Sequence, residues 1–202
     1  MSLQTLEETA RTLAAAAAGR KPFASLFFFT DPERTPDPVS AARRLPAGAA
    51  VVYRAFGSAE ATIVAAELRQ VTRERDCLLL IGADEALAEA CGADGLHLPE
   101  HRLPDGPALR LRHPGWFLTG AAHSAEALAE ANRAGLDAVM ISPVFASRSP
   151  SAGEPLGVVR LSELARGSAA PVIALGGVNA QTAGELLGSG AAGLAGVEAF
   201  GA

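Results

Sequence analysis

The segment Glu85–Leu98, EALAEACGADGLHL, contains the pattern that decides the fold. Similar segments occur at Glu126–Ile141, EALAEANRAGLDAVMI, and at Glu185–Val197, ELLGSGAAGLAGV. Each of them reads as the end of a helix, a glycine that caps it, a short turn and a buried strand. The repetition indicates that helices and strands alternate, which is typical of parallel strands joined by right-handed crossovers.

Short apolar runs extend this pattern over the chain. They are continuously apolar rather than alternating, as expected of strands buried on both faces. The eight runs are Ala24–Thr30, Ala49–Arg54, Cys77–Ile81, Gly95–Leu98, Trp116–Thr119, Ala138–Ser142, Pro171–Leu175 and Gly193–Val197. Helical patterns lie between several runs, and the last three of these patterns begin with good N-cap residues. The helical patterns are Ala59–Glu74, Asp84–Cys91, Ser124–Ala134 and Asn179–Ser189.

Eight strands predict an α/β fold, a single-domain (β/α)8 TIM barrel over residues 23–202. A doubly wound open sheet is the alternative, but Thr30 is followed by Asp-Pro-Glu instead of the glycine-rich turn of dinucleotide-binding folds. An amphipathic helix opens the chain, so residues 1–22 are expected to form an N-terminal helix and lead-in. The last barrel helix is expected to be truncated, with the N-terminal helix covering the gap.

The composition excludes several classes of protein. A net charge of −5 gives no general attraction to phosphate backbones, so nucleic acid is not an expected partner. Two cysteines exclude a disulfide framework, and Lys21 is the only lysine. The sequence contains no run of about 18 apolar residues, so it predicts no membrane span. The opening segment lacks the basic region of a signal peptide, so we expect a cytoplasmic protein.

Glycines after the last two strands are the strongest candidate for a binding site, because chemistry in this fold lies at the carboxyl ends of the strands. Gly176-Gly177 follows the seventh run, and Gly196 and Val197 end the eighth. Small residues let backbone N–H groups approach a phosphate, and a helix beginning at Asn179 would add its dipole. Alternatively, the glycines only relieve crowding where strand meets helix. The position favours phosphate binding.

Two further segments offer cations and hydroxyls to an anionic substrate. The loop Ser142–Gly157 is long and contains Ser147, Arg148 and Ser149. Arg54 ends the second run and is expected to point into the barrel mouth as a clamp. Alternatively, the loop is only a solvated connection, and Arg54 only forms an exposed ion pair.

His123, after the fifth run, is the candidate acid/base because histidine exchanges protons near neutral pH. It could equally be a structural residue that only bonds a neighbouring loop. His97 lies inside the fourth run and is interpreted as a core residue with its hydrogen bonds satisfied. His101 and His113 are interpreted as surface residues.

Taken in order, several motifs resemble the thiamin phosphate synthase/TenI superfamily, from Phe27 to the end of the chain. The matching pieces are FFFTD at 27–31, Tyr53-Arg54, GADGLHLPE at 92–100, Ala122-His123-Ser124, SPVF at 142–145, PLG at 155–157 and PVIALGGVN at 171–179. The resemblance implies a (β/α)8 barrel that binds a thiazole phosphate on the glycines after strands seven and eight, usually as a homodimer. It also implies one of two activities. The synthase joins a pyrimidine diphosphate to the thiazole phosphate with magnesium, whereas the TenI-like branch tautomerises the thiazole phosphate without metal.

This chain departs from the synthase pattern at positions that would hold the diphosphate and the metal. Two lysines and two carboxylates are replaced there, although a departing diphosphate needs cations to stabilise it. The replacing segments are Ala55-Phe56-Gly57, Gly82-Ala83, His101-Arg102 and Ser147-Arg148-Ser149-Pro150. HLP at 97–99 also looks more TenI-like than the synthase segment.

The sequence therefore predicts a TenI-like thiazole tautomerase that needs no cofactor. His123 would be its proton shuttle, and the backbone at 176–177 and 196–197 would hold the phosphate. One alternative is a synthase, with magnesium, whose diphosphate site is rebuilt from Arg54, Arg102 and Arg148. Another is a barrel that binds a phosphorylated ligand without catalysis.

Overall fold

Eight parallel strands close into a barrel in sequence order, each paired with the next and the last with the first. This arrangement is seen in a computed structural model that describes residues 2–17, 19, 22–147 and 153–200. The strands are β1 Leu26–Phe29, β2 Ala50–Tyr53, β3 Leu78–Gly82, β4 Gly95–Leu98, β5 Phe117–Ala122, β6 Ala138–Ile141, β7 Val172–Ala174 and β8 Gly193–Gly196. The predicted (β/α)8 barrel is confirmed, and the closed sheet excludes the open alternative.

Helices and 3-10 turns surround the barrel. The α-helices are α1 Ser2–Ala16, α2 Pro38–Ala42, α3 Ala61–Glu74, α4 Glu85–Cys91, α5 Gly106–Arg112, α6 Ala125–Ala134 and α7 Gly157–Gly167. The 3-10 turns are Glu100–Asp105, Ala183–Leu186 and Glu198–Phe200. Helix α1 packs against β8 and β1, which is the place predicted for it. Among the described residues, no helix is long and apolar enough to cross a membrane.

Side chains alternate between two layers of the core. Along β1, Phe27 and Phe29 point into the barrel, whereas Leu26 and Phe28 pack outward beneath the helices. Both layers are closed to solvent, so the strands are buried on both faces. This is the physical reason for their continuously apolar sequence, because neither face can carry polar residues without cost.

The sequence repeat corresponds to one repeated local structure. Gly92 and Gly135 adopt the left-handed conformation and end α4 and α6. After the turn, the N–H group of the residue before the strand donates to a carbonyl of the preceding strand in all three copies. These bonds are Asp94 N to Leu79 O at 2.8 Å, Asp137 N to Leu118 O at 2.8 Å and Ala192 N to Val172 O at 2.7 Å. Each repeat therefore fixes the register of one strand against its neighbour.

The third copy departs from prediction, because Asn179–Ser189 does not form an α-helix. It contains turns and a 3-10 segment over Ala183–Leu186. Gly184 and Gly188 weaken helix formation here through their backbone entropy, and Gly188 adopts a positive φ of 80°. The predicted N-caps Asp84 and Ser124 are confirmed, since their side chains accept bonds from Leu87 N and Ala127 N.

Candidate active site

A cavity of about 890 Å³ opens at the carboxyl ends of the strands. The described site candidates from the sequence all line it: Arg54, His123, Ser147, Gly176, Gly177, Gly196 and Val197. Arg148 and Ser149 lie outside the described residues. The barrel therefore brings together side chains and glycines that are far apart in sequence, because they lie at or after the carboxyl ends of β2, β5, β6, β7 and β8 in one closed sheet.

The Gly176-Gly177 turn after β7 needs glycine for two reasons. Both residues have positive φ, 90° at Gly176 and 66° at Gly177. A Cβ atom would lie 2.6 Å from Pro143 Cα at the first position and 2.4 Å from Ala146 O at the second. The turn thus packs directly on the loop after β6. The glycines therefore do relieve steric crowding, as the alternative interpretation held, and this role is compatible with ligand binding.

Backbone N–H groups remain available in this turn. The N–H groups of Gly176, Gly177 and Val178 have no hydrogen-bond acceptor within residues 2–17, 19, 22–147 and 153–200. Because all three residues line the cavity, these donors can serve an anionic group of a ligand.

The segment after the turn fixes its orientation without an α-helix. The Gly177 carbonyl accepts bonds from Thr182 Oγ1 at 3.0 Å and from Asn179 Nδ2 at 3.2 Å. The Asn179 carboxamide oxygen in turn accepts from the N–H groups of Gln181 and Thr182. The helix dipole expected at Asn179 is therefore missing, and a phosphate would depend on individual N–H groups instead.

His123 lies directly after β5, which extends three residues beyond its predicted end. Its Nδ1 atom is 2.7 Å from the Ser142 carbonyl oxygen, and its backbone N–H donates to Glu100 Oε2 at 2.9 Å. A carbonyl can only accept, so the short contact indicates that Nδ1 carries a hydrogen. In the neutral ring the Nε2 lone pair is then available to take a proton.

Arg54 belongs to an ion cluster that sequence reasoning found only in part. Its Nε donates to Thr30 O at 2.8 Å, and its Nη2 lies 3.5 Å from Asp31 Oδ2. Arg34 Nη2 donates to the same carboxylate oxygen at 2.7 Å. The hydrogen bond from Arg34 is the main cause that lowers the pKa of Asp31 to about 2, while burial lowers the pKa of Arg54 to about 10.

Arg34 and Asp31 were missed, although an acidic and a basic residue at i and i+3 directly after a strand give a usable signal. Arg34 lines the cavity together with Arg54. The Arg54 guanidinium also lies over two aromatic rings, 5.6 Å from the Phe29 centroid and 5.2 Å from that of Phe56. The cluster places positive charge at the β1–β2 side of the mouth, as expected for Arg54.

Two histidines occupy surroundings that differ from their predicted ones. His97 is buried and bonded to Thr119, as a core residue would be, but it also lines the cavity. His113 was expected at the surface, yet its side chain is only 14% exposed. The ring of His113 stacks on Trp116 and forms a hydrogen bond with Glu85. These two contacts cover most of its surface.

Carboxylates near the mouth are already engaged. Asp84 caps α4, and Glu100 accepts from His123 N. In the part of the chain that the structure describes, Glu85, Glu89 and His113 form the one three-residue group with metal-ligand spacing. Arg112 donates to both oxygens of Glu85 at 2.8 Å, and this bond and His113 lower the pKa of Glu85 to about 2.

A guanidinium already neutralises Glu85, so this donor set does not fit the magnesium site that the synthase branch implies.

Arg102, which was expected to help bind a diphosphate in the synthase alternative, is not among the residues that line the cavity. Its side chain donates to Ala83 O at 2.6 Å and to Asp105 Oδ2 at 2.7 Å. The part of Arg102 in a rebuilt diphosphate site therefore stays a prediction.

Comparison with known proteins gives consistent results. The family model described as thiamine monophosphate synthase matches residues 26–200. A putative thiamine-phosphate synthase 2 from Aquifex aeolicus is 34% identical over 68% of this chain and 73% of its own length. A thiamine-phosphate synthase from Methanoculleus marisnigri is 33% identical over 67% of this chain and 64% of that protein.

Solved structures agree with the sequence matches. A thiamine phosphate pyrophosphorylase from Pyrococcus furiosus superposes with a TM-score of 0.78 at 27% identity, covering 90% of this chain and 89% of the other. FabK from Thermotoga maritima, at 16% identity and a TM-score of 0.68, shares the fold.

Proposed function

This chain belongs to the thiamine monophosphate synthase family, and from that premise we propose that it binds a thiazole phosphate and tautomerises the ring. The observation that carries the proposal is that the His123 ring and the N–H groups at 176–178, which have no acceptor among the described residues, converge on one cavity. The first can hold a phosphate, and the second can move a proton on the attached ring.

The phosphate would lie on the turn after β7, with Gly196 and Val197 beside it. Backbone N–H groups in a positive-φ turn bind anions because several donors converge without a side chain between them. Thr182 and Asn179 hold the Gly177 carbonyl away from the ligand, which keeps its peptide group in place.

His123 would transfer the proton. The Ser142 carbonyl holds Nδ1–H, so Nε2 can remove a proton from the ring carbon and return it at the conjugated position. A tautomerisation requires one such acid/base, and a positioned group contributes about 10²–10⁴ in rate. It requires no cofactor.

A second candidate is favoured by the names of the relatives, which are thiamine-phosphate synthases. This activity would join a pyrimidine diphosphate to the thiazole phosphate, and Arg34 and Arg54 would be the cations available for the diphosphate. The replacement of the synthase pattern's lysines and carboxylates at 55–57, 82–83, 101–102 and 147–150 favours the tautomerase instead, since a departing diphosphate needs cations to stabilise it.

Proton exchange by NMR tests the proposal. Thiazole phosphate in heavy water should exchange its ring-adjacent proton faster with the protein than without it, and without magnesium. In a parallel reaction, pyrimidine diphosphate and magnesium are added and thiamin phosphate is measured. Formation of thiamin phosphate at about 1 per second, an ordinary turnover, would establish the synthase instead. Binding without either reaction would leave a non-catalytic ligand-binding barrel.

A further inference from the structure

A histidine on the cavity floor takes no part in the proton transfer described above. We propose that Thr119 fixes His97 as its Nε2–H tautomer, and that this N–H group donates a hydrogen bond to an acceptor atom at the deep end of the bound ligand. The identity of that ligand rests on the proposed function, whereas the state of the ring does not.

Strand alternation places the ring inside the barrel. Leu96 and Leu98 pack outward from β4, so His97 between them points inward, where its ring meets the edge of Phe29 at 5.0 Å between centroids. His97 is 7% exposed and its Nδ1 lies 2.9 Å from Thr119 Oγ1 on the neighbouring strand.

The hydroxyl of Thr119 decides the tautomer. Thr119 is fully buried, and its Oγ1 has no other hydrogen-bond partner in the described ranges. A buried O–H group that donates to nothing loses its hydrogen bonds to water without replacement, which is unfavourable. The hydroxyl therefore donates to Nδ1, which must be the unprotonated nitrogen. The hydrogen of the neutral ring is then on Nε2.

Nε2 has no partner among the described residues and is open to the cavity. No described residue forms a hydrogen bond with Nε2. Among the described residues, Arg69 Nε is the one side-chain N or O atom that is both inaccessible to solvent and without a hydrogen-bond partner. His97 Nε2 has no partner either, but it does not belong to this inaccessible class. Nε2 must therefore be accessible, and the cavity that His97 lines is the space it can face.

The ring also stays neutral. Burial lowers the pKa of His97 to about 3, and the positive charge of Arg54, with that of His123 whenever its ring is protonated, acts in the same direction. A neutral N–H donor can bind an acceptor such as a ring nitrogen, and it does not attract a further anion beside the ligand's phosphate. Because β4 lies across the barrel from β8, a ligand anchored by phosphate at β7–β8 would present its far end to His97.

Long-range ¹H–¹⁵N NMR of the ligand-free protein tests the tautomer directly. Four histidines are present, and the signals of His97 are identified by their loss in His97→Gln. We expect a pyrrole-type Nε2 and a pyridine-type Nδ1, unchanged from pH 8 to pH 5. Protonation in this range, or hydrogen on Nδ1, would overturn the assignment.

A matched pair of variants tests the contact with the ligand. Thr119→Ser keeps the hydroxyl, whereas Thr119→Val keeps the shape and removes it. We expect Val, but not Ser, to weaken thiazole phosphate binding by about three- to tenfold, the worth of one hydrogen bond, with inorganic phosphate affinity unchanged. An equal effect on both probes, or no effect of Val, would contradict the contact. If the Val variant does not fold, the wild-type NMR spectrum still decides the tautomer. Failure of the wild type to bind thiazole phosphate would instead contradict the proposed function.

Discussion

For single residues, the sequence indicates well which side chains reach the cavity. It indicates their orientation and protonation less well. Arg54 and His123 could be placed at the mouth because each directly follows a strand. The ring orientation of His123 could not, since it depends on the Ser142 carbonyl, which is 19 positions away in sequence. The protonation of His97 likewise depends on Thr119, a partner that only the barrel register brings near.

Replacing His123 tests its role as the acid/base. His123→Gln retains a donor toward the Ser142 carbonyl but cannot titrate near neutral pH. We expect the exchange rate of the ring proton to fall by about 10²–10⁴, with the affinity for thiazole phosphate nearly unchanged. The exposed His101 offers a matched control, and His101→Gln should retain the wild-type rate. A His123→Gln rate within threefold of wild type would show that His123 is structural.

The Asp31–Arg34–Arg54 cluster should make stability depend on pH in the acid range. The folded-state pKa of Asp31 is about 2 and its side chain is 15% exposed. A lowered pKa means that the charged form stabilises the fold above about pH 4, the unfolded value, and that this contribution is lost as pH falls through about 2.

Asp31→Asn keeps an oxygen for the N–H groups of Glu33 and Arg34 but removes the charge. We expect it to lower the free energy of unfolding by about 2 kcal/mol at pH 7, measured by urea denaturation. The difference from wild type should shrink between pH 4 and pH 2. A difference that is constant over this range would mean that the charge of Asp31 does not stabilise the fold.

At the scale of elements, local sequence signals predict the strands and most of the helices. Asp84 and Ser124 mark helix starts, and Gly92 and Gly135 mark helix ends, because each of these residues satisfies or permits a specific backbone geometry. Asn179 carries the same N-cap signal without a helix behind it. There the side chain closes a local turn, and the glycines that follow do not sustain a helix.

The turn after β7 allows the two costs of a glycine replacement to be separated. Gly188 has a φ of 80° and open space at its Cβ position, so Gly188→Ala meets only the left-handed backbone penalty of about 1–2 kcal/mol. Gly177→Ala adds a collision with Ala146 O at 2.4 Å. We expect it to cost about 1–3 kcal/mol more in chemical denaturation and also to weaken thiazole phosphate binding. Equal costs would mean that the loop after β6 moves freely away from the turn.

At the scale of the whole molecule, the repeat and the buried runs are sufficient to predict the closed barrel, because eight strands buried on both faces have few other arrangements. The full arrangement of charges at the mouth could not be predicted, since Arg54 approaches the local Asp31–Arg34 pair only in three dimensions. The preference for tautomerase over synthase rests on the lysines and carboxylates of the synthase pattern that this chain replaces, and on Glu85, whose two oxygens accept from Arg112.

The family resemblance also predicts assembly. We expect a homodimer, so sedimentation equilibrium should give about twice the 20.6 kDa chain mass. A mass of one chain at micromolar concentration would contradict this expectation.

A crystal structure with thiazole phosphate bound tests the central claim most directly. The account predicts phosphate oxygens about 2.7–3.2 Å from the N–H nitrogens of Gly176, Gly177 and Val178, and the ring within reach of His123 Nε2. A phosphate held instead by Arg34 and Arg54, which follow β1 and β2, with the N–H groups of 176–178 unengaged, would contradict it.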